Sequence, residues 1–287
     1  MEVSHIRGPG LDRREELRGE AGVLDERAGV VVVRGHHALV RDDEAVVLDL
    51  AAIEDPGALV FLGEHDGRRY AGWAVTEHEA SSLEAATGGT MTSLRWAGTR
   101  LPPWQAGLLF YAAGLLAWHE RTRHCGVCGA PTRVRRSGHQ RVCTAGGCGQ
   151  VHFPRADPAI ITLVRRGERA LLVRQPRWPE GRFSTLAGFV EPGESLEQAV
   201  VREVAEEVGL DVAAVDYFAS QPWPFPHTLM VGFRTEAAGG EVVLGDELVD
   251  ARWYTRDELR AALAAGEITI PEPYALSRSL IEDWLGA

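Results

Sequence analysis

Three glutamates, Glu203, Glu206 and Glu207, are spaced so that their carboxylates can act together in metal chemistry. If the chain around them is helical, a rotation of about 100° per residue places all three on about one third of the helix circumference. Like charges at these spacings destabilise a bare helix, and Glu194 adds a fourth carboxylate just before it. Hard divalent cations prefer oxygen ligands, so the cluster predicts a Mg²⁺ or Mn²⁺ site for phosphate chemistry. The alternative is a solvated acidic face.

The residues around the glutamates predict the helix that positions them. Pro192 and Gly193 indicate a turn, and Ser195 with Gln198 indicates a capping box at the helix start. An apolar stripe beside the carboxylates would face the core, and it consists of Val200, Val201, Val204, Ala205 and Val208. One helix therefore combines a core face with a candidate metal-binding face.

A second group with ligand chemistry is formed by the four cysteines of the chain, Cys125, Cys128, Cys143 and Cys148. Two pairs of thiolates on glycine-containing turns supply the four soft ligands of a tetrahedral structural zinc, and they leave no open position for catalysis. The second pair is separated by four residues where two are usual. Disulfides and buried free thiols are the alternatives, and clustering in a cytosolic chain favours metal over disulfides.

The hairpin between the cysteine pairs is basic, because it contains Arg133, Arg135, Arg136, His139 and Arg141. A zinc ribbon with this charge can bind nucleic acid. A solvated face on a structural module is the alternative, and it is the interpretation we favour from the sequence.

Length and charge limit the functions that the chain can have. A chain of 287 residues with 45% hydrophobic content can bury a sizeable core in two or three units. The net charge of −11 argues against broad affinity for nucleic acid or anionic membranes, which favours small-molecule substrates. The first thirty residues lack the apolar core of a signal peptide, and the longest apolar run, 106–118, is too short to span a bilayer. A cytoplasmic location without membrane contact is expected.

The order of patterns along the chain predicts four regions after a polar lead-in over residues 1–26. Short β-rich runs broken by turn clusters come first, and an apolar helix that should be buried follows the proline pair at 102–103. From residue 159 onwards strands and helices alternate, which is typical of an α/β domain with a mixed sheet. The predicted regions are a mostly β N-terminal domain (1–100), a linking buried helix (101–122), a zinc ribbon (123–154) and an α/β domain (155–287).

A proline-rich segment, SQPWPFPHT at residues 220–228, follows the glutamate helix by ten residues. Its three prolines remove backbone donors and stiffen the chain, so the segment is neither a helix nor a central strand. Trp223 and Phe225 would then stand on a rigid loop and offer aromatic surface to a flat base. Taken alone, such a segment is more often a linker or a turn.

The stretch from Gly188 to Leu210 resembles the Nudix box. Gly188 is followed after five residues by Glu194, and after seven more by REVAEEVGL. The SQPWPFP segment behind it resembles the array typical of NADH pyrophosphatases, the NudC family, and the resemblance covers most of the chain from about Ser93. It implies a Nudix fold preceded by a zinc ribbon. Thr228 departs from the usual serine of the array but keeps a hydroxyl.

The resemblance implies roles for individual residues. Glu203, Glu206 and Glu207 would be catalytic, with Arg202 orienting them through charge-assisted pairs. Two or three Mg²⁺ or Mn²⁺ ions would be held by Ala187 through its backbone carbonyl and by Glu203, Glu206, Glu207 and Glu247. The substrate-binding residues would be Arg95, Phe153, Gln221, Pro222, Trp223, Pro224, Phe225, Pro226, His227, Thr228 and Ser277. From spacing alone, Arg95 reads as an ordinary surface arginine.

The activity that the resemblance implies is hydrolysis of the pyrophosphate of NADH, and less readily of NAD⁺, to the nicotinamide mononucleotide and AMP. One alternative is removal of NAD caps from RNA 5′ ends. Another Nudix substrate, such as ADP-ribose or a nucleoside triphosphate, is disfavoured by SQPWPFP. A non-catalytic zinc-ribbon protein with a decayed Nudix domain should have lost a box glutamate, and none is lost. A homodimer is expected from the family and from the apolar helix.

Overall fold

The computed structural model describes residues 10–19 and 22–286, so the predicted polar lead-in falls partly outside the described residues. The described chain divides into two compact units. The N-terminal unit contains the described residues up to Ala156 together with Trp223–His227. The C-terminal unit contains Asp157–Pro222 and the described part of the chain from Thr228 onwards.

The N-terminal unit is built on a seven-stranded sheet, as its β-rich runs predict. Its strands are β1 (Gly29–Arg34), β2 (His37–Arg41), β3 (Glu44–Ala45), β4 (Val47–Asp49), β5 (Leu59–His65), β6 (Arg68–Ala74) and β7 (Thr90–Ser93). The sheet has the order β3-β2-β1-β6-β5, with β4 paired to β1 and β7 paired to β2. The pair β1 and β6 is parallel, and β5 runs antiparallel to β6 at the edge.

Three helices accompany this sheet: α1 (Glu77–Thr87), α2 (Leu94–Arg100) and α3 (Pro103–Arg121). Helix α3 is the predicted apolar helix, and Leu108, Leu109 and Ala112 on it are fully buried in a core shared with β1 and β5. Its apolar character is therefore explained by packing within the unit, and it no longer argues for a subunit interface. No helix within residues 10–19 and 22–286 is both long and apolar enough to cross a membrane.

The cysteine-rich segment forms a small antiparallel sheet of β8 (Thr132–Arg135), β9 (Gln140–Cys143) and β10 (Val151–His152). The tip of the β8–β9 hairpin is anchored on β5. His139 is buried and its Nε2 donates to the Phe61 carbonyl at 2.7 Å. At Gly138, φ is +101° and an added Cβ would lie 2.7 Å from the Val60 side chain, so only glycine fits this contact.

The C-terminal unit has the predicted mixed sheet with helices on both faces. Its strands are β11 (Asp157–Arg166), β12 (Arg169–Arg174), β13 (Leu186–Phe189), β14 (Asp211–Trp223), β15 (Thr228–Gly239) and β16 (Asp250–Thr255). Its helices are α4 (Leu196–Val208), α5 (Arg256–Ala264) and α6 (Leu276–Leu285). The order is β14-β15-β11-β12-β16, with β13 paired to β11, and β11 runs parallel to β15 but antiparallel to β12 and β13.

Strand β11 lies at the centre of this sheet, and its side chains point alternately to the two faces, so they pack in two separate cores. Ile161 and Leu163 pack in the core that contains α5 and α6. Ile160 and Val164 pack in the core that contains α4. Because both faces are covered, β11 reads in the sequence as a nearly continuous apolar run.

Candidate active site

Helix α4 carries the predicted glutamates, and local interactions at both ends fix its limits. The Ser195 hydroxyl accepts from the Gln198 backbone N–H at 3.2 Å, and the Gln198 side chain accepts from the Ser195 N–H at 2.8 Å. This confirms the predicted capping box. The helix ends where Gly209 adopts φ of +67°. Val200, Val204 and Val208 are fully buried, so the rotation of the helix about its axis is fixed. The predicted core stripe is wrong for Val201 and Ala205, which are exposed.

Arg202 organises one side of the carboxylate cluster, which we define as Glu194, Glu203, Glu206, Glu207 and Glu247. Its Nε donates to Glu194 at 2.6 Å. One terminal nitrogen donates to Glu203 at 2.9 Å and to Glu206 at 3.0 Å, and the other donates to Glu194 and to the Phe189 carbonyl. The hydrogen bond from Arg202 holds the pKa of Glu194 below its ordinary value. One guanidinium thus neutralises part of the cluster and fixes three of its carboxylates.

Glu207 lies on the side of the cluster that Arg202 does not reach. Its residue surface is only 5% exposed, and it forms no ion pair with any residue that the structure describes. Burial, followed by the charges of Glu203, Glu247 and Glu206, raises the pKa of Glu207 to about 8. Burial also raises the pKa of Glu203. The fold therefore holds carboxyl groups in an arrangement that a cation would relieve.

Gly188, the first residue of the box, is required to be glycine for a steric reason. An added Cβ at Gly188 would lie 1.9 Å from the Glu203 carboxylate, so the backbone of β13 must pass directly against that side chain. Ala187, whose carbonyl is a predicted ligand, is the preceding residue of β13 and is half-buried opposite Ile161 of β11. The absence of a side chain at Gly188 thus leaves room for the Glu203 carboxylate against the backbone of β13.

Glu247 reaches the cluster from a loop that is bonded to the end of α4. The Gly245 N–H donates to the Glu207 carbonyl at 2.9 Å, and an added Cβ at Gly245 would lie 2.5 Å from the Glu206 carbonyl. Leu248 is buried in the core beside α4 and anchors the loop. The predicted ligands, which are carboxylates and one backbone carbonyl, are all oxygen donors, and oxygen donors suit a hard divalent cation.

The aromatic loop, residues 223–227, belongs to the N-terminal unit and packs there. The Phe225 ring lies edge-on to Trp223 at 5.1 Å and to His36 at 5.4 Å between centroids. The Arg95 guanidinium lies 4.7 Å from the Phe225 centroid and 5.2 Å from the Trp223 centroid, within the range of cation–π attraction. Arg121 donates to His227 Nδ1 at 3.0 Å. Pro224 and Pro226 lie in the turn at 224–227, whereas Trp223, predicted on a loop, is the last residue of β14.

His36 and Arg121 were not identified from the sequence as partners of this loop. The structure places His36 in the turn between β1 and β2. Neither residue lies in a local motif, and only the fold brings them to the aromatic loop.

Other predicted substrate residues occupy different settings. Gln221 is buried, and its side-chain amide donates to the Tyr274 carbonyl and accepts from the Leu276 N–H at 2.9 Å. These bonds join β14 to the start of α6. Ser277, in the first turn of α6, is also buried. Pro222 lies on the edge strand β14, and Thr228 opens β15. Phe153 follows β10 and is 60% exposed.

The four cysteines converge as predicted. Their sulfur atoms all lie within 4.8 Å of one another, and all four are free thiols, with Cys125 and Cys143 buried. His152 Nε2 lies 3.3 Å from the Cys125 sulfur. Four converging thiols with no carboxylate among them fit a tetrahedral zinc.

Three family models match consecutive parts of the chain. Family models match residues 154–274 as a NUDIX domain, residues 120–153 as an NADH pyrophosphatase zinc ribbon domain, and residues 17–118 as an NADH pyrophosphatase-like rudimentary NUDIX domain.

Several curated relatives carry the name "NAD-capped RNA hydrolase NudC". That of Mycobacterium bovis (strain BCG / Pasteur 1173P2) is 40% identical over 300 residues, covering 96% of this chain and 92% of the relative. That of Stutzerimonas stutzeri (strain A1501) is 39% identical over 280 residues, covering 94% and 95%. Among solved structures, a NUDIX hydrolase from Nitrosomonas europaea aligns with 48% of this chain and 80% of its own at 21% identity, with a TM-score of 0.42.

The raised pKa of Glu207 predicts a pH effect on stability in buffer without added divalent cations. The folded protein keeps this proton up to about pH 8, whereas the ordinary value is 4.5. Unfolding therefore releases a proton between these values, and stability falls as pH rises through them, by at most about 1.4 kcal/mol per pH unit. Glu207→Gln should gain stability relative to the wild type as pH rises from 5 to 8, as measured by thermal midpoints.

The matched control is Glu206→Gln, since the Glu206 side chain is 61% exposed. That variant should follow the pH dependence of the wild type closely. Identical pH profiles for the wild type and Glu207→Gln would contradict the assignment of Glu207 as a buried, protonated group.

Proposed function

The chain belongs to the NudC family of Nudix hydrolases, and from this premise we propose that it hydrolyses the pyrophosphate bond of NADH and NAD⁺, giving the nicotinamide mononucleotide and AMP. The observation that carries the proposal is the carboxylate cluster, in which Glu207 is buried, has no cationic partner among the described residues and is surrounded by further acids. Such an arrangement is costly unless a cation completes it. The all-oxygen donor set favours the cations that bind phosphates.

We assign the metal-binding role to Ala187, Glu203, Glu206, Glu207 and Glu247, which would hold two or three ions. When bound, Mg²⁺ or Mn²⁺ neutralises phosphate oxygens and activates water. Glu203 and Glu207 would carry most of this role because they are the least exposed carboxylates of the box, and the more exposed Glu206 would assist them. Arg202 keeps Glu203 and Glu206 in position through its hydrogen bonds.

The reaction breaks one P–O bond of the pyrophosphate and forms another. The oxygen of a water molecule attaches to one phosphorus atom, and the bridging oxygen leaves with the other phosphate. The proton released by the water passes to a carboxylate of the cluster, which acts as general base. Both products are phosphate monoesters, as the nicotinamide mononucleotide and AMP are.

We assign recognition of the dinucleotide to the aromatic loop and Arg95. Trp223 and Phe225 provide ring faces on which a base can stack, and base–aromatic stacking contributes about 1–3 kcal/mol per base. The Arg95 guanidinium forms no ion pair within the described part of the chain, so its charge is available to a phosphate beside the rings. Gln221 acts as a positioning residue because its amide is already bonded to backbone groups.

A second candidate activity is removal of the NAD cap from RNA. The curated relatives carry that name. The cap contains the same pyrophosphate, so the same cluster would cleave it. Arg133 and Arg135 are exposed on the ribbon hairpin and form no ion pair among the described residues, which suits a phosphate backbone.

We also propose one structural zinc per chain at the four cysteines. Homodimer formation stays a prediction from the resemblance, and a cytoplasmic location stays a prediction from the composition of the first thirty residues and the length of the longest apolar run.

The central test is product analysis with NADH, NAD⁺, ADP-ribose and NAD-capped RNA in the presence of Mg²⁺ or Mn²⁺. We expect cleavage of NADH and NAD⁺ to mononucleotides, and Glu207→Gln should lower kcat at least about 100-fold, because a cation ligand and candidate base is lost. Glu241→Gln, at an exposed carboxylate outside the cluster, is the control and should keep wild-type turnover. Near-normal turnover of Glu207→Gln at saturating Mg²⁺ would overturn the metal assignment.

Substitution in the aromatic loop should affect binding more than chemistry. Trp223→Ala should raise KM for NADH about tenfold, with a smaller change in kcat, because a stacking surface is removed. Tyr217→Ala removes an exposed aromatic ring from β14 and should leave KM unchanged. If both variants behave alike in steady-state kinetics, the loop does not recognise the base.

The zinc assignment predicts one zinc per chain by elemental analysis. Cys125→Ser should lower the thermal midpoint before it lowers kcat of the remaining folded protein, because metal binding at such sites is coupled to folding. A metal-free protein with full stability and activity would contradict a structural role for zinc.

A further inference from the structure

A cleft of about 410 Å³ lies within the N-terminal unit, apart from the residues of the proposed reaction. It is bordered by the edge strand β5, by α3 and by the β8–β9 hairpin. Its apolar lining is provided by Leu59, Val60, Val75, Leu116 and Val134. This volume is in the range of pockets that enclose small organic ligands.

A half-buried guanidinium, that of Arg141, lies at the wall of this cleft. Its Nε donates to the Thr132 hydroxyl at 2.7 Å, one terminal nitrogen donates to the Thr132 carbonyl at 3.1 Å, and the other donates to His119 Nδ1 at 3.0 Å. Three of its five N–H groups are therefore used, and two are free to bind a further acceptor.

The partners of Arg141 are all uncharged. His119 Nε2 donates to the Gly138 carbonyl at 2.8 Å, so its Nδ1 is the acceptor for Arg141 and the ring is neutral. Burial lowers the pKa of His119 to about 4, which keeps it neutral at physiological pH. The fold therefore holds the Arg141 cation in place without supplying an anion to it.

A second cation, Arg123, lines the same cleft and is exposed. Neither Arg123 nor Arg141 forms an ion pair with any residue in the described ranges, although Glu120 contributes one carboxylate to the lining. The charged groups that line the cleft are thus two guanidinium groups and one carboxylate, which leaves an excess of positive charge. A partly buried cation without a counter-ion, such as Arg141, is unfavourable, and an anion that also covers the apolar lining would relieve this.

We propose that this cleft, the hairpin cleft, binds a small organic anion that consists of a carboxylate or phosphate monoester head on an apolar body. The head would bond to Arg141 and Arg123, and the body would cover Val60, Leu116 and Val134. Guanidinium groups suit both heads, because their N–H groups match the oxygens of carboxylates and phosphates. The site is separate from the carboxylate cluster and does not depend on the proposed reaction.

The strand geometry supplies matched controls. Val134 on β8 is the cross-strand partner of Arg141 on β9, and both line the cleft. Because side chains alternate along a strand, Arg133 and Arg135 project from the opposite face, and neither lines the cleft. If an anion bound only because the hairpin is basic, arginines on both faces of the hairpin would contribute to binding. If it binds in the cleft, only the residues on the face of the cleft should contribute.

The test is calorimetric titration of the full-length, zinc-loaded protein with octanoate, octyl phosphate, octanol and inorganic phosphate. Octanoate or octyl phosphate should bind at one site per chain, and comparison of the two identifies the preferred head. Octanol and inorganic phosphate should each bind at least about tenfold more weakly, because each lacks one half of the recognised structure. Equal affinity for octanol would show that the arginines are not involved and would overturn the proposal.

Variants then locate the binding. Arg123→Ala should weaken binding of the preferred anion about tenfold, and it should leave the fold intact, since the Arg123 side chain bonds to no described residue. Val134→Asp, which adds a carboxylate to the lining, should also weaken binding. Arg133→Ala, with the same loss of charge on the other face, should have no effect. Equal weakening by Arg123→Ala and Arg133→Ala, or absence of binding by both anions, would overturn the proposal.

Discussion

The main constraint on the C-terminal unit is the mutual repulsion of the carboxyl groups that α4 holds beside the core. The packing of the unit must outweigh this repulsion. Val200, Val204 and Val208 are fully buried, and each such burial contributes about 1.5–3 kcal/mol, which exceeds the repulsion between neighbouring charges on a helix surface. The hydrophobic face thus fixes the helix in the rotation that places Glu203 and Glu207 inward. The stability of the core offsets the cost of an arrangement that is useful only when a cation is present.

Arg202 shows why the cluster is only partly neutralised by the protein itself. Its guanidinium is bonded to Glu194, Glu203 and Glu206 and to a backbone carbonyl, so it has no remaining reach toward Glu207. The outer carboxylates are held in fixed positions, while the inner one stays without a cation. Because β13 passes Glu203 at a glycine, the backbone of the strand lies against that carboxylate without steric conflict.

The sequence predicted those features that arise from local patterns. The capping box, the valine stripe and the Gly188-to-Leu210 spacing identified α4, and two close pairs of cysteines identified the ribbon. Helix α1 was not predicted, although Thr76 and Glu79 form a capping box at its start, because its apolar stripe is weak. The setting of Glu247 depends on the bond from Gly245 to the end of α4, which is a contact between residues distant in sequence.

Long-range packing also explains what the N-terminal unit contributes. Its region matches a rudimentary NUDIX domain, and its longest helix, α3, contains a single glutamate, Glu120, where α4 has an acidic cluster. Helix α3 instead turns apolar residues toward its own sheet, and Phe110 on it lies 6.1 Å from the Phe225 ring. Within this unit the aromatic loop is a segment of only five residues, and its partners His36, Arg95, Phe110 and Arg121 lie more than one hundred positions away in the sequence.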